Sequence, residues 1–214
     1  KIAAAGYYTL RINGHAPDAA AAISLMPLWS DFGKTVYVDE YPLDRKTIKP
    51  YPHTNEVRVV MGNGFYNLPP LRFWGSKKFR GALASGEPVF SVFGDGLELS
   101  RWHWRETNIL RNCVYLGTEM DGTLEIGDVW RPAVNAKGPE GRLVLRKSPK
   151  VGVRGELAGK SSWLQQGSIQ VVDFGENHTG VPEFRFRAER GRRIEILYGE
   201  RLNSDGSVNV RTQT

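Results

Sequence analysis

Apolar and polar residues alternate in short runs along this chain, and turn residues separate the runs. Residues 7–12 (Tyr-Tyr-Thr-Leu-Arg-Ile) end at Asn13-Gly14, a pair that tolerates positive φ and suits a two-residue hairpin turn. Residues 34–41 alternate next. Residues 55–61, with Val57 and Val59 on one side, run into Gly62-Asn63-Gly64. Residues 88–93 stop at Gly94-Asp95-Gly96, and two shorter runs follow at 97–99 and 102–104. Residues 142–145 and 168–174 read as strands. Residues 182–188 and 193–198 read as a hairpin around Glu189-Arg190-Gly191-Arg192, and Asn203 to Gly206 as a turn. Only residues 17–23, with four Ala, suit a helix. They lack an amphipathic stripe, so a loop or a single turn is expected.

Many short strands, Gly and Pro turns and no βαβ alternation predict an all-β chain of two antiparallel, jelly-roll-like β-sandwiches. A turn-rich stretch between 135 and 160 divides it into residues 1–147 and 148–214. The first begins directly in a strand. The second holds only four or five strands, which is thin for two buried faces, so an incomplete sandwich is expected. With 214 residues and no initial Met, the chain reads as a processed or excised piece of a longer protein.

Composition narrows the chemistry. Cys113 is alone, so an internal disulfide is excluded, and no Cys/His cluster has zinc spacing. No apolar run reaches the roughly 18 residues of a membrane helix. The net charge of +6 raises the question of a nucleic-acid partner. The basic residues are spread along the chain, and Arg185, Arg187, Arg190, Arg192 and Arg193 alternate with apolar residues like the wet face of a hairpin. No nucleic-acid partner is expected.

There is no Gly-x-Ser-x-Gly elbow, P-loop, dinucleotide fingerprint or His-Glu-x-x-His. Three acid pairs, Asp39/Glu40, Glu119/Asp121 and Glu125/Asp128, raise glycosidase chemistry. A chain with 23 acids contains such pairs by chance, and they read as solvated surface carboxylates. No catalytic residue is assigned. Sugar binding needs aromatic faces for C–H surfaces and fixed amides or guanidinium groups for hydroxyls. That combination is dense around Asn63, Tyr66 and Trp74, with Pro69-Pro70 stiffening the loop. Phe65 fits the core better than a ligand. Asn63, between two glycines, fits either backbone geometry or ligand binding. Trp29, Trp102, Trp104, Trp130 and Trp163 read as core or sheet-packing residues. Asn112 is a candidate oxygen ligand for a cation.

Several segments together resemble the N-terminal half of bacterial α-L-rhamnosidases of glycoside hydrolase family 78. They are Leu25-Met26-Pro27-Leu28-Trp29-Ser30-Asp31-Phe32 with Lys34-Thr35-Val36 and Tyr41, then Gly62-Asn63-Gly64-Phe65-Tyr66, then Asn112 to Tyr115. Further along, Val172-Asp173-Phe174-Gly175-Glu176-Asn177 with Gly180 resembles an Asp-Phe-Gly-Gln-Asn signature, followed by Tyr198, Glu200, Leu202, Asp205 and Gly206. The resemblance covers nearly the whole chain. It implies a first module related to carbohydrate-binding module family 67 and the start of the β-sandwich that follows it. It places the (α/α)6 catalytic domain elsewhere in the same gene product, and implies an exported, secreted or periplasmic enzyme acting on L-rhamnose-containing glycans. Asn63, Tyr66, Trp74 and Asn112 become the candidate sugar contacts. The chain departs from the family pattern where Gly62 replaces an acidic residue that helps hold Ca²⁺ and rhamnose, which leaves Asn63 and Asn112 as the candidate Ca²⁺ ligands. It departs again at Thr118, Met120 and Glu176.

Overall fold

The computed structural model describes the chain apart from residues 19, 24, 45, 46, 68–86, 96, 115, 116, 166, 168, 186, 190, 213 and 214. The described residues are all-β. They hold twelve strands, two short 3₁₀ turns and no α-helix. None of their helices is long and apolar enough to cross a membrane. The chain divides into two compact units, Lys1–Gly152 and Val153–Thr214.

The first unit is organised around β1 (Ile2–Ala5), whose four side chains are all buried. β1 pairs antiparallel with β3 (Thr35–Asp39) on one side and β5 (Val89–Val92) on the other. Small alanines give β1 little intrinsic strand preference, but a central strand needs side chains that fit between two packed faces. Ile2 and Ala4 face a cluster with Tyr8, Leu10, Met26 and Tyr41, while Ala3 and Ala5 face Phe32, Val36, Val38 and Tyr66. The first cluster is covered by a second antiparallel ribbon, β2 (Tyr8–Ile12) with β4 (Val57–Met61). That stacking is the sandwich. β2 ends in the predicted turn. Asn13 and Gly14 both have positive φ, at 50° and 83°, and His15 hydrogen-bonds back to Ile12. The described residues of 17–23 are turns and bends, with the Ala21 amide donating to Asp18 Oδ1 at 2.9 Å.

The four-stranded sheet is closed by β10 (Arg142–Leu145), which runs parallel to β3 and sets Leu145 opposite Val38. The next pair in that register is Arg146 and Asp39. Asp39 shares the sheet face of its partner Ile2, because side chains alternate along β3. It is 1% exposed. Its carboxylate accepts from Arg146 Nε, and from the Tyr8 hydroxyl at 2.6 Å; that hydroxyl lies 2.8 Å from the Tyr41 hydroxyl. Sequence reading placed the Asp39/Glu40 pair at the surface, and for Asp39 this is corrected. An acid on the inner face of a sandwich is tolerated here because an arginine and a phenol meet it.

The same network sets an alkaline limit. Burial lifts the Tyr8 phenol far above its ordinary value, and the neighbouring Asp39 charge adds to it; burial also raises Tyr41. A raised folded-state value stabilises fully below the unfolded tyrosine value of about 10, and that stability is lost as pH rises above it. We expect unfolding free energy to fall by roughly 1 kcal/mol per tyrosine by pH 10.5. Urea titrations at pH 8 and 10.5 check this, and Tyr8→Phe should remove its share of the pH dependence. An identical slope in that variant would refute the assignment.

Other expectations need correction. Leu99–Arg101 is a 3₁₀ turn, not the end of a strand. β6 (His103–Trp104) pairs with β9 (Arg131–Pro132), and Trp104 and Trp130 are 42% and 46% exposed, each with an arginine over its ring. Trp29 is 53% exposed. These three are surface residues, whereas Trp102 packs edge-on against Phe90 at 5.4 Å. The hairpin β7 (Ile109–Cys113) with β8 (Gly117–Met120) was not foreseen.

The second unit holds β11 (Ser161–Gln165) antiparallel to β12 (Ile169–Asp173) and a small bridge, Leu202 to Val208, around the turn at Asn203 to Gly206. The hairpin expected over 182–198 is not formed among the described residues. Phe184, Ile194 and Ile196 there are 50%, 47% and 41% exposed, so the alternation has no sheet to pack against. Val171 is the one buried apolar side chain among the described residues of this unit.

Candidate functional site

The Gly62-Asn63-Gly64 turn follows β4 and is drawn against the start of the sandwich. The Gly62 amide donates to the Tyr7 carbonyl at 2.7 Å, and a Cβ on Gly64 (φ +53°) would lie 2.8 Å from the Tyr7 amide nitrogen. Glycine is therefore required at 64 on both steric and conformational grounds. The turn meets β7 through two asparagines 49 residues apart. The Asn63 amide donates to Asn112 Oδ1 at 3.1 Å, and Asn63 Nδ2 donates to the Asn112 carbonyl at 2.7 Å. Asn67 Nδ2 donates to Asn63 Oδ1 at 3.1 Å, and Asn112 Nδ2 to Thr118 Oγ1 at 3.0 Å. Sequence reading left Asn63 open between backbone geometry and ligand binding. In the structure its side chain ties the turn to β7.

A shallow cleft of about 310 Å³ opens beside this joint, lined by Met61, Pro88, Thr107, Leu110, Arg111 and Asn112 among others. Its apolar side is set by Leu110, 58% exposed. Arg111 supplies a guanidinium held only loosely, 3.6 Å from Glu119 and more than half exposed. A small polyhydroxylated ligand needs this mixture of an apolar wall and fixed hydrogen-bonding groups.

The other candidates fall differently. Tyr66 is 4% exposed and its ring meets Phe32 edge-on at 5.0 Å, so it belongs to the core and not to the cleft. Phe65, expected in the core, packs edge-on against Tyr7 at 6.0 Å. Trp74 lies outside the described residues.

A calcium ion does not fit the residues present. Ca²⁺ takes six to eight oxygens and favours carboxylates. Asn63 and Asn112 offer two amide oxygens, each already accepting an N–H bond. No group of three or more His, Cys, Asp or Glu gathers among the described residues. Gly62 leaves no room for an acid without movement. A Cβ there would lie 2.8 Å from Asn112 Oδ1, so the asparagine occupies the space a side chain would take.

Two acids of the predicted pairs, Asp121 and Asp128, are held by neighbours. Asp121 is held below the ordinary carboxylate value by the Thr123 hydroxyl and amide, which bond it at 2.7 and 2.8 Å. Asp128 pairs with Arg105 at 3.1 Å. A general acid needs the opposite, a carboxyl held protonated near neutral pH.

A larger cleft of about 580 Å³ was invisible in the sequence. Glu40, Tyr41, Pro42, Arg146, Ser148, Pro149 and Lys150 line it. Its cations are paired internally, Arg146 with Asp39 and Lys150 with Asp18 at 2.7 Å. It draws on residues about a hundred positions apart, and no local motif marks it.

Residues 165–214 match the model of the bacterial alpha-L-rhamnosidase concanavalin-like domain. The chain is also 24% identical, over 220 residues, to an alpha-L-rhamnosidase of Formosa agariphila, an alignment that takes in 94% of this chain and 22% of that protein. The chain thus spans about a fifth of the length of this curated relative. No solved structure matches it. The sequence is rhamnosidase-related, and the match to the family model lies in the second unit.

Proposed function

We propose that this chain is a non-catalytic β-sandwich region of an α-L-rhamnosidase, and that the cleft beside Asn63 and Arg111 holds a rhamnose-containing glycan for a catalytic domain elsewhere in the same gene product. The observation that carries the reading is the similarity to an alpha-L-rhamnosidase along 94% of the chain, across both units. The cleft adds a site of the right character, with an apolar wall at Leu110 and a guanidinium at Arg111. On this reading the first unit is the module related to carbohydrate-binding module family 67, in the N-terminal half of an exported bacterial enzyme.

Calorimetry with L-rhamnose and a rhamnosyl oligosaccharide tests the proposal. We expect binding that weakens about tenfold in Arg111→Ala and in Asn63→Ala, the loss of one or two hydrogen bonds to the sugar or to the cleft wall. Addition of EDTA should leave it unchanged. A second reading has its own support, because the side-chain amides of Asn63 and Asn112 are both spent on internal hydrogen bonds, to β7 and across the β7–β8 hairpin. On that reading the region only packs against its neighbours, and a folded chain giving no heat with any rhamnoside decides for it.

A further inference from the structure

We propose that residues 142–150 form a latch on the first unit, and that the connection to the second unit becomes free to turn only beyond Lys150. The latch has an inner and an outer catch. The inner one is Arg146, whose side chain is 2% exposed and lies against the fully buried Asp39 carboxylate. Its backbone amide also donates to the Val38 carbonyl at 3.0 Å, which prolongs the β10–β3 pairing by one residue. The outer one is Lys150. Its ammonium donates to Asp18 Oδ2 at 2.7 Å and to the Glu40 carbonyl at 2.6 Å, and sits 3.5 Å from the centre of the Tyr41 ring. Three contacts from one side chain, reaching 109 to 132 residues back along the chain, make this a deliberate fastening of the exit segment.

Beyond Lys150 the fastening stops. Among the described residues no hydrogen bond holds 151–159, and the next is the Lys160 amide to the Asp173 carbonyl at 2.8 Å. A Cβ on Gly155 would meet nothing within 4 Å. Gly159 is already packed on β12, where a Cβ would lie 2.5 Å from Val172 Cγ1, so the hinge is confined to residues 151–158.

The two catches differ in their response to salt. Lys150 and Asp18 keep 20% and 32% of their side-chain surface exposed, within reach of screening ions. Arg146 and Asp39 are shielded. High salt opens the outer catch and leaves the inner one closed.

Limited trypsin digestion of the whole chain, followed by mass spectrometry, tests this. Lys147 lies inside the latch and Arg154 lies in the hinge, both on exposed positions. Cleavage of a folded chain follows local opening. We expect cutting after Arg154 to be at least about tenfold faster than after Lys147. In Lys150→Met, and in the unaltered chain at 1 M NaCl, cutting after Lys147 should rise about fivefold relative to Arg154. Equal rates at the two sites in the unaltered chain would overturn the latch. So would a ratio that neither Lys150→Met nor salt changes. The unaltered chain in low and high salt decides the matter if the variant does not fold.

Discussion

Arg146→Met will destabilise the first unit by about 3–5 kcal/mol, the characteristic loss when one partner of a buried ion pair is removed. The pair is unusual in its seclusion, with side-chain exposures of 2% and 0%. Methionine fills part of the volume but leaves the Asp39 carboxylate with no opposite charge and one hydrogen bond, from the Tyr8 hydroxyl. The cost is thus the desolvation of a stranded charge and not the strength of the bridge itself. Urea unfolding at pH 7, followed by near-UV circular dichroism, measures it. The double variant Asp39→Asn with Arg146→Met removes both charges and should recover more than half of the loss. Recovery distinguishes a stranded charge from simple loss of packing. A single-variant loss below about 1 kcal/mol would mean that water reaches Asp39 and that the network is a surface bridge.

Gly6→Ala will cost about as much, for a different reason. Gly6 has φ +116°, a region that L side chains rarely enter, and a Cβ there would lie 2.4 Å from the Gly62 carbonyl oxygen and 3.0 Å from Pro88 Cβ. Both obstacles are fixed. The carbonyl belongs to the turn whose amide already bonds Tyr7, and the proline ring has no alternative rotamer of consequence. The backbone must move, and strain of this kind adds to a steric clash for about 3 kcal/mol or more. The displaced atom is in the residue preceding Asn63, so sugar binding should weaken even in the fraction that stays folded. A urea midpoint within error of the parent chain would show that the turn is loosely held.

Local signals in the sequence predict the structure where one short segment decides it. Asn13-Gly14 has the chemistry of a tight hairpin turn and forms one. The alternation at Val57 and Val59 gave β4, and that at Val36 and Val38 gave β3. Other features failed because partners far along the chain decide them. β11 (Ser-Ser-Trp-Leu-Gln) has no apolar alternation, yet it pairs in full register with β12. Residues 182–198 have that signature, but no strand forms among the described ones. Trp104 and Trp130 looked like core because they are large and apolar; an arginine over each ring lets them sit at the surface. The cleft was legible only in part. Asn63 and Asn112 were recognised as a pair, while Arg111 gave no signal. Its place beside them follows from the β7–β8 hairpin and a register shift between Ile109 and Arg111.

The parallel pairing of β10 with β3 also bears on how the molecule is made. Synthesis from the N-terminus produces Thr35–Asp39 about a hundred residues before its neighbour Arg142–Leu145. At ordinary elongation rates of about 5–20 residues per second, one edge of that strand waits for roughly 5–20 s. During that interval the Asp39 charge has no arginine to meet it, which discourages premature burial of the edge. The Arg146 that completes the sheet is also the residue that neutralises the charge, so closure of the first unit is tied to the emergence of its last strand from the ribosome. Long-range pairing of this kind makes for slow folding.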